Sequence, residues 1–365
     1  MAHQIVTTGY NKALKEKESK IGGGRTGPLE EPKRWLVTGG CGFIGSSLVE
    51  KLACEDDKYI RIIDNLSVGM RNDLSRVCEV EEVDSKALSN ESPVTEKGFP
   101  RVELVVGDIL DAELAIAMAR DIDVIVHLAA NTGVGESVQH PRRDCMTNIV
   151  GTLNYLESAR RNNVTRFIFA SSGAPVGDCE PPVHEEVAPH PISPYGASKL
   201  AGEAYCSAYF RTYGIDTVCL RFGNVYGPGS TRKNSVVAKF IRKAILGETL
   251  EIYGDGKQTR DFIYIDDLIG AIRRAAGMKG VGGETFQIAT NTETTVSLLV
   301  KQLLPMLSQA GITGVSVNHG PFRAGDMKRN FSDTSKGKKY LGWEPEVRLE
   351  TGLQKTVDWF LSRQT

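Results

Sequence analysis

From Arg34 onward, short apolar runs alternate with segments of helical spacing, and this alternation constrains the fold more than any other feature of the chain. WLVTGG (35–40), YIRIID (59–64), VELVVGD (102–108), DVIVHLAA (123–130) and RFIFASS (166–172) are short and rich in β-branched and other apolar residues, as buried strands are. FIGSSLVEKLACE, AELAIAMAR and TNIVGTLNYLESARR stand between them with helical spacing. Apolar strands of this kind, separated by helices, predict an α/β fold whose parallel sheet is covered on both faces. After LRFGNVYGPG (220–229) the regularity falls off. Helices at SVVAKFIRKAILG and IDDLIGAIRRAA, an isolated strand at LEIYG, a loop at DGKQTRDF and a last helix ending at WFLSR predict a smaller C-terminal lobe, with the chain crossing between lobes.

The expected organisation is an N-terminal extension over 1–33, a first lobe over 34–224 with returns near 262–290, and a second lobe over 225–365. The extension is polar and ends in IGGGRTGPLEEPK, whose glycines and prolines punctuate a linker. Residues 79–100 read as an insertion before the VELVVGD strand. A net charge of -1 offers no excess for nucleic acid or an anionic membrane surface. The seven cysteines form no CxxC pair and read as reduced thiols, so a cytoplasmic location is expected. The six histidines show no zinc spacing, so no metal is expected. No apolar run reaches the ~18–20 residues that span a bilayer, and the N-terminus lacks the apolar core of a signal peptide.

WLVT runs into Gly39-Gly40-Cys41-Gly42-Phe43-Ile44-Gly45 and then into a helix. A pyrophosphate held at a helix N-terminus needs backbone amides at close approach, hence residues without Cβ. The next strand ends at Asp64, 19 residues beyond Gly45. An acid there accepts from the adenosine ribose hydroxyls and repels a 2′-phosphate, which favours NAD over NADP. Together these predict a Rossmann-type doubly wound parallel sheet with a smaller C-terminal substrate-binding lobe. Asp108, with Ile109 beside it, is placed to face the adenine or to turn the chain.

Tyr195 and Lys199 form a YxxxK pair in SPYGASKLAGEAY, where Pro194 suits a helix start and the i, i+4 spacing puts both on one face. A free tyrosine with a pKa of ~10 is a poor base at neutral pH, and a nearby ammonium and a nicotinamide cation both favour its phenolate. The pair then suits proton removal from a substrate hydroxyl. Tyr253 and Lys257 share the spacing, but Gly254-Asp255-Gly256 between them reads as a turn.

TGGCGFIG, Asp64, HLAA (127–130), Ser171-Ser172, YGASK (195–199), LRFGNVYGPG, GDGKQTRDFIYIDDL (254–268) and RAGD (323–326) stand in an order that resembles the extended short-chain dehydrogenase/reductase family, nucleotide-sugar epimerase branch. The likeness spans about 34–360. It implies NAD in the first lobe and a UDP-sugar in the second. It also implies that Gly39, Gly42, Phe43, Ile44, Gly45, Asp64, Asn65, Asp108, Ile109, Leu128, Ala129, Ala130 and Asn148 line the cofactor. Tyr195 would be the base, Lys199 would hold the nicotinamide ribose and tune Tyr195, and Ser172 would hydrogen-bond the reacting hydroxyl. Asn224, Arg260 and Arg323 would meet the diphosphate, Asp326 the uridine ribose, and Asn330 the sugar's 2-substituent. The implied reaction takes hydride from C4 to NAD, turns the 4-keto sugar over, and returns hydride to the other face.

The sister 4,6-dehydratases carry an acid pair where this chain has Gly173-Ala174, so elimination of water lacks its carboxylates. A glucuronate 4-epimerase or decarboxylase needs a cation near the sugar carboxylate, and Arg232 is on a loop that could supply one. An N-acetylhexosamine needs room at Asn330. A non-catalytic NAD-binding scaffold is the reading from another class. The resemblance also implies a homodimer packed through helices at 146–162 and 195–213, for which Tyr205, Tyr209 and Phe210 are candidates.

Overall fold

A computed structural model describes residues 31–86, 88, 101–322 and 328–363. The expectations for residues 1–30, for 87 and 89–100 of the insertion, and for Arg323 and Asp326 lie outside the described residues. The strands of the first lobe are β1 (Arg34–Thr38), β2 (Tyr59–Asp64), β3 (Glu81–Glu82), β4 (Arg101–Val106), β5 (Val124–His127), β6 (Arg166–Ser172) and β7 (Asp216–Phe222). The later chain adds β8 (Asn224–Tyr226), β9 (Leu250–Tyr253), β10 (Thr259–Arg260), β11 (Phe262–Tyr264), β12 (Glu284–Ile288), β13 (Thr294–Thr295) and β14 (Val317–Gly320).

The main sheet has eight strands in the order β12-β7-β6-β5-β1-β2-β4-β3. Every pairing in it is parallel. β2 and β5 flank β1, so the direction of winding reverses at β1, and ligands of such sheets bind outside the strand carboxyl ends at that reversal. The strand interiors are buried, and apolar clusters fill both faces. β12 comes from a segment of the later chain that the sequence pattern did not mark as a strand; it closes one edge through pairing with β7. LEIYG is not isolated, because β9 pairs with β14.

Local signals set the helices that carry the site. Ser193 accepts from the amide of Gly196 at 3.1 Å, Pro194 occupies the first turn, and Gly214 at φ 76° ends the helix Pro194–Tyr213. Gly42 starts the helix Phe43–Ala53 without a side-chain cap, so its first amides remain available to a ligand. The expected helix over TNIVGTLNYLESARR begins differently. Met146–Val150 is a π-turn between the helices Pro141–Cys145 and Gly151–Arg161, and it directs Asn148 inward.

Candidate active site

Thr38, Asp64, Val106, His127, Ser172 and Phe222 end neighbouring strands, so the segments that follow them meet along one edge of the sheet. Gly39, at φ 71°, lies against the segment after β5: a Cβ there would come within 2.9 Å of the Ala129 backbone. A Cβ on Gly45 would come within 2.3 Å of the Gly39 carbonyl oxygen. The turn is therefore closed to side chains, as a backbone cradle for phosphate requires. Gly42, Phe43 and Ile44 are half-buried beside it, and Leu128, Ala129 and Ala130 form the opposing wall.

Asp64 accepts from the Cys41 amide at 2.9 Å and from the Leu66 amide at 2.8 Å, one on each oxygen. Burial raises its pKa, and those two amides pull it back. Lone pairs remain for ribose hydroxyls, so cradle and carboxylate both fit NAD. Asn65 donates to Asp108 at 3.3 Å, and the other Asp108 oxygen accepts from the Leu110 amide at 2.9 Å. Ile109 is buried beneath them. Asn148 is buried, and both ends of its amide are engaged by the protein. Its oxygen accepts from the Asn131 amide at 2.7 Å, and its nitrogen reaches Asn131 O, Asp144 Oδ1 and Ser198 Oγ at 3.0 to 3.1 Å. It supports the cofactor wall from behind.

Tyr195, Lys199 and Ser172 come together where the helix Pro194–Tyr213 crosses the end of β6. The Ser172 hydroxyl stands near enough to the Tyr195 phenol to favour its ionisation, and it accepts from the Ala174 amide at 3.2 Å. The buried Lys199 donates to the Ala170 carbonyl at 2.8 Å, and its ammonium lies 6.0 Å from the Tyr195 ring centre. Burial lowers the lysine pKa to about 8, against the opposing pull of Asp144 and Glu203. Burial also raises the tyrosine above its ordinary value, against the pull of Ser172, and Asp144 adds to the rise. Desolvation by the protein thus works against the phenolate, which the ammonium and the cofactor's cation would have to offset.

On the sugar side, Asn224 follows β7, and its amide donates to the Asp261 carbonyl at 2.7 Å. Arg260 donates to the Thr259 carbonyl at 2.6 Å, while the Thr259 hydroxyl accepts from the Asn330 amide at 3.2 Å. Asn330 in turn faces the end of β6, where a Cβ on Gly173 would lie 3.7 Å from its side-chain nitrogen. Gly173 and Asn330 are thus neighbours on one wall, close enough that a side chain at 173 would touch Asn330. Arg232 turns away from this space and pairs with Asp73 at 3.1 Å, beside the cofactor turn. Tyr253 and Lys257 are separated by the turn at Gly254 and Gly256, and Tyr253 meets Lys239 at 3.4 Å instead.

Sequence reading passed over Asp144, Ser198, Glu203 and Arg221, all buried around the pair. Arg221 carried a signal, since a charge inside the apolar run VCLRF implies a buried partner. Glu203 carried one too, four residues after Lys199 on the same helical face. Among the described residues no group of His, Cys, Asp and Glu could hold a metal ion, and no helix is long and apolar enough to cross a membrane.

Residues 35–289 match the NAD dependent epimerase/dehydratase family, and the chain belongs to it. It is 35% identical over 337 residues to a UDP-glucose 4-epimerase of Mycolicibacterium smegmatis, covering 90% of this chain and 99% of that protein. Its structure is similar to UDP-glucose 4-epimerase from Thermotoga maritima with UDP-glucose, at TM-score 0.78 and 35% identity, covering 91% and 100% of the two chains. It is also similar to UDP-glucuronic acid 4-epimerase from Bacillus cereus in complex with UDP-glucuronic acid and NAD, at TM-score 0.77 and 29% identity, covering 90% and 99%.

Proposed function

We propose that this protein is a UDP-hexose 4-epimerase. The observation that carries the reading is the meeting of Tyr195, Ser172 and Lys199 at the end of β6, with Gly173 and Ala174 next in the chain in place of an acid pair. Hydride transfer from C4 of the sugar and back to its opposite face would be supplied by NAD held at the Gly39–Gly45 turn and Asp64. Tyr195 removes the proton of the C4 hydroxyl and restores it after the 4-keto sugar has turned over. Ser172, beside the phenol, orients that hydroxyl by hydrogen bonding. Lys199 holds the nicotinamide ribose, and the positive charge beside Tyr195 favours its phenolate against burial.

Asn224, Arg260 and Arg323 meet the diphosphate, where guanidinium forks match phosphate oxygens. Asp326 meets the uridine ribose. Asn330, beside Gly173, sets the room for the sugar's 2-substituent. A cation for a sugar carboxylate is not supplied by Arg232, which Asp73 engages. The second lobe over 225–365 is the sugar-binding part.

We also infer a cytoplasmic homodimer that feeds polysaccharide synthesis. Met146 and Tyr205 are exposed on the helices that would meet a second copy. Tyr209 belongs to the core of the single chain, where its hydroxyl bonds Glu157 at 2.5 Å. Phe210 packs over Gly282 and Gly283.

The test is incubation of the purified protein with UDP-glucose, UDP-glucuronate and UDP-N-acetylglucosamine, products being resolved by NMR. Interconversion of C4 epimers without loss of water or carbon dioxide is expected. No turnover of any of them, with or without added NAD, sinks the reading.

A further inference from the structure

Two buried charges beside the site have no part in the chemistry above. Glu203 lies one turn beyond Lys199 on the helix Pro194–Tyr213, and Arg221 in β7 stands opposite Ser171 of β6. The Glu203 carboxylate accepts from Arg221 Nε at 2.8 Å and Nη2 at 2.7 Å, in a fork, and from the Ser171 hydroxyl at 2.6 Å. Glu203 is 8% exposed and Arg221 4%.

Set beside the reacting groups, these contacts form a ladder. Three consecutive residues of β6 each engage one residue of the same helix. Ala170 accepts from Lys199, Ser171 donates to Glu203, and Ser172 stands beside Tyr195, whose ionisation it favours. Tyr195, Lys199 and Glu203 are spaced i, i+4, i+8, so one helical face is registered against one strand end. Arg221 extends the registration to β7.

A buried ion pair is a poor device for stability alone. Desolvation of both ions offsets their attraction, and well-packed apolar residues of similar volume serve as well or better. Arg221 bears a further cost, because its Nη1 is buried without a partner. What the pair supplies that apolar residues would not is direction, through a fork that fixes helix height and rotation.

We propose that Glu203, held by Arg221 and Ser171, is a positioning residue that sets Tyr195 and Lys199 against Ser172 for proton transfer. This rests on the reading of Tyr195 as the base. A displacement near 1 Å at a reacting group costs on the order of 100-fold in rate, so the ladder has leverage without touching substrate. The groups facing the pair are Asp144 from the helix Pro141–Cys145, Glu203 and Cys206 from its own helix, and Cys219 from β7. Glu203 is the one of these that also bonds β6.

The test is the apolar double variant Glu203→Leu/Arg221→Met, purified with NAD bound. The expected result is a kcat lower by on the order of 10- to 100-fold with KM within about twofold. The ionisation of Tyr195 is read separately, as the ultraviolet difference between each protein and its Tyr195→Phe counterpart, and its midpoint is expected to rise by about one pH unit. A folded double variant with wild-type kcat and midpoint overturns the proposal and leaves the pair merely structural. Should that variant fail to fold, Ser171→Ala removes one hydroxyl, and an unchanged kcat and midpoint there overturn it equally. The midpoint needs no sugar, so it tests the ladder even if no UDP-sugar is turned over; that outcome would sink the epimerase reading instead.

Discussion

On the cofactor side of the cleft, one uninterrupted strand, turn and helix from Arg34 to Ala53 makes the proposed cradle, in which backbone amides and missing side chains would do the binding. On the sugar side, Asn224, Arg260 and Asn330 come from three separate segments and meet through contacts such as the Asn330 amide on the Thr259 hydroxyl. The first half tolerates little local change because its geometry is that of the main chain. The second can change its ligand by changing side chains, because the scaffold beneath them is made elsewhere. Tyr195 stands at the boundary, on a helix registered to β6 between the two.

The sharpest way to break this comparison is to remove the group both halves serve. Tyr195→Phe is expected to lose ~10³-fold or more in kcat while NAD and UDP still bind, as calorimetry would record. Wild-type turnover in that variant would separate the two halves from the chemistry assigned to them. Gly45→Ala should damage only the cofactor half. Its Cβ falls 2.3 Å from a backbone oxygen, so the purified protein should carry no bound NAD by absorbance yet retain its affinity for UDP. Equal loss of both ligands would show that the halves are not independent.

Asn330→Tyr should damage only the sugar half. Turnover of UDP-N-acetylglucosamine is expected to fall by about tenfold relative to UDP-glucose, with NAD content unchanged. A parallel drop for both sugars would remove Asn330 from the specificity wall. The smallest effect is on the pH profile. Lys199 has a pKa of about 8, so kcat should decline as pH rises through that value and the ammonium is lost. Stability moves the other way. The unfolded chain, with a lysine near ~10.4, binds the proton more tightly, so this group's contribution to stability rises between about pH 8 and ~10.4. Denaturant midpoints measured alongside kcat separate the two; a joint fall would assign the activity loss to unfolding.

Much of the cofactor half was legible because its signals are contiguous. A glycine turn between strand and helix and an acid ending the next strand can be read without knowing what packs on what. Tyr195 and Lys199 were legible for the same reason, since helical periodicity alone puts them on one face. The π-turn at Met146–Val150 was not, because its deviation brings Asn148 to Asn131, Asp144 and Ser198, contacts from residues up to 50 positions away. Arg232 sits on a loop that could have reached the sugar, but it was more readily a surface cation, and the fold pairs it, exposed, with Asp73. Of three aromatic residues marked for a partner, Tyr205 faces solvent, whereas Tyr209 completes the core.

By itself the sequence determined the parallel sheet, the cofactor turn, the choice of an acid at Asp64 and the pairing of Tyr195 with Lys199, because each depends on strand or helix period or on short-range backbone sterics. Tertiary structure decided the sheet's last edge at β12, the wall shared by Gly173 and Asn330, and the ladder from Glu203 through Ser171 to Arg221. It also decided the protonation of the site. Burial lowers Lys199 and raises Tyr195, and the extent of burial depends on every element that packs over them.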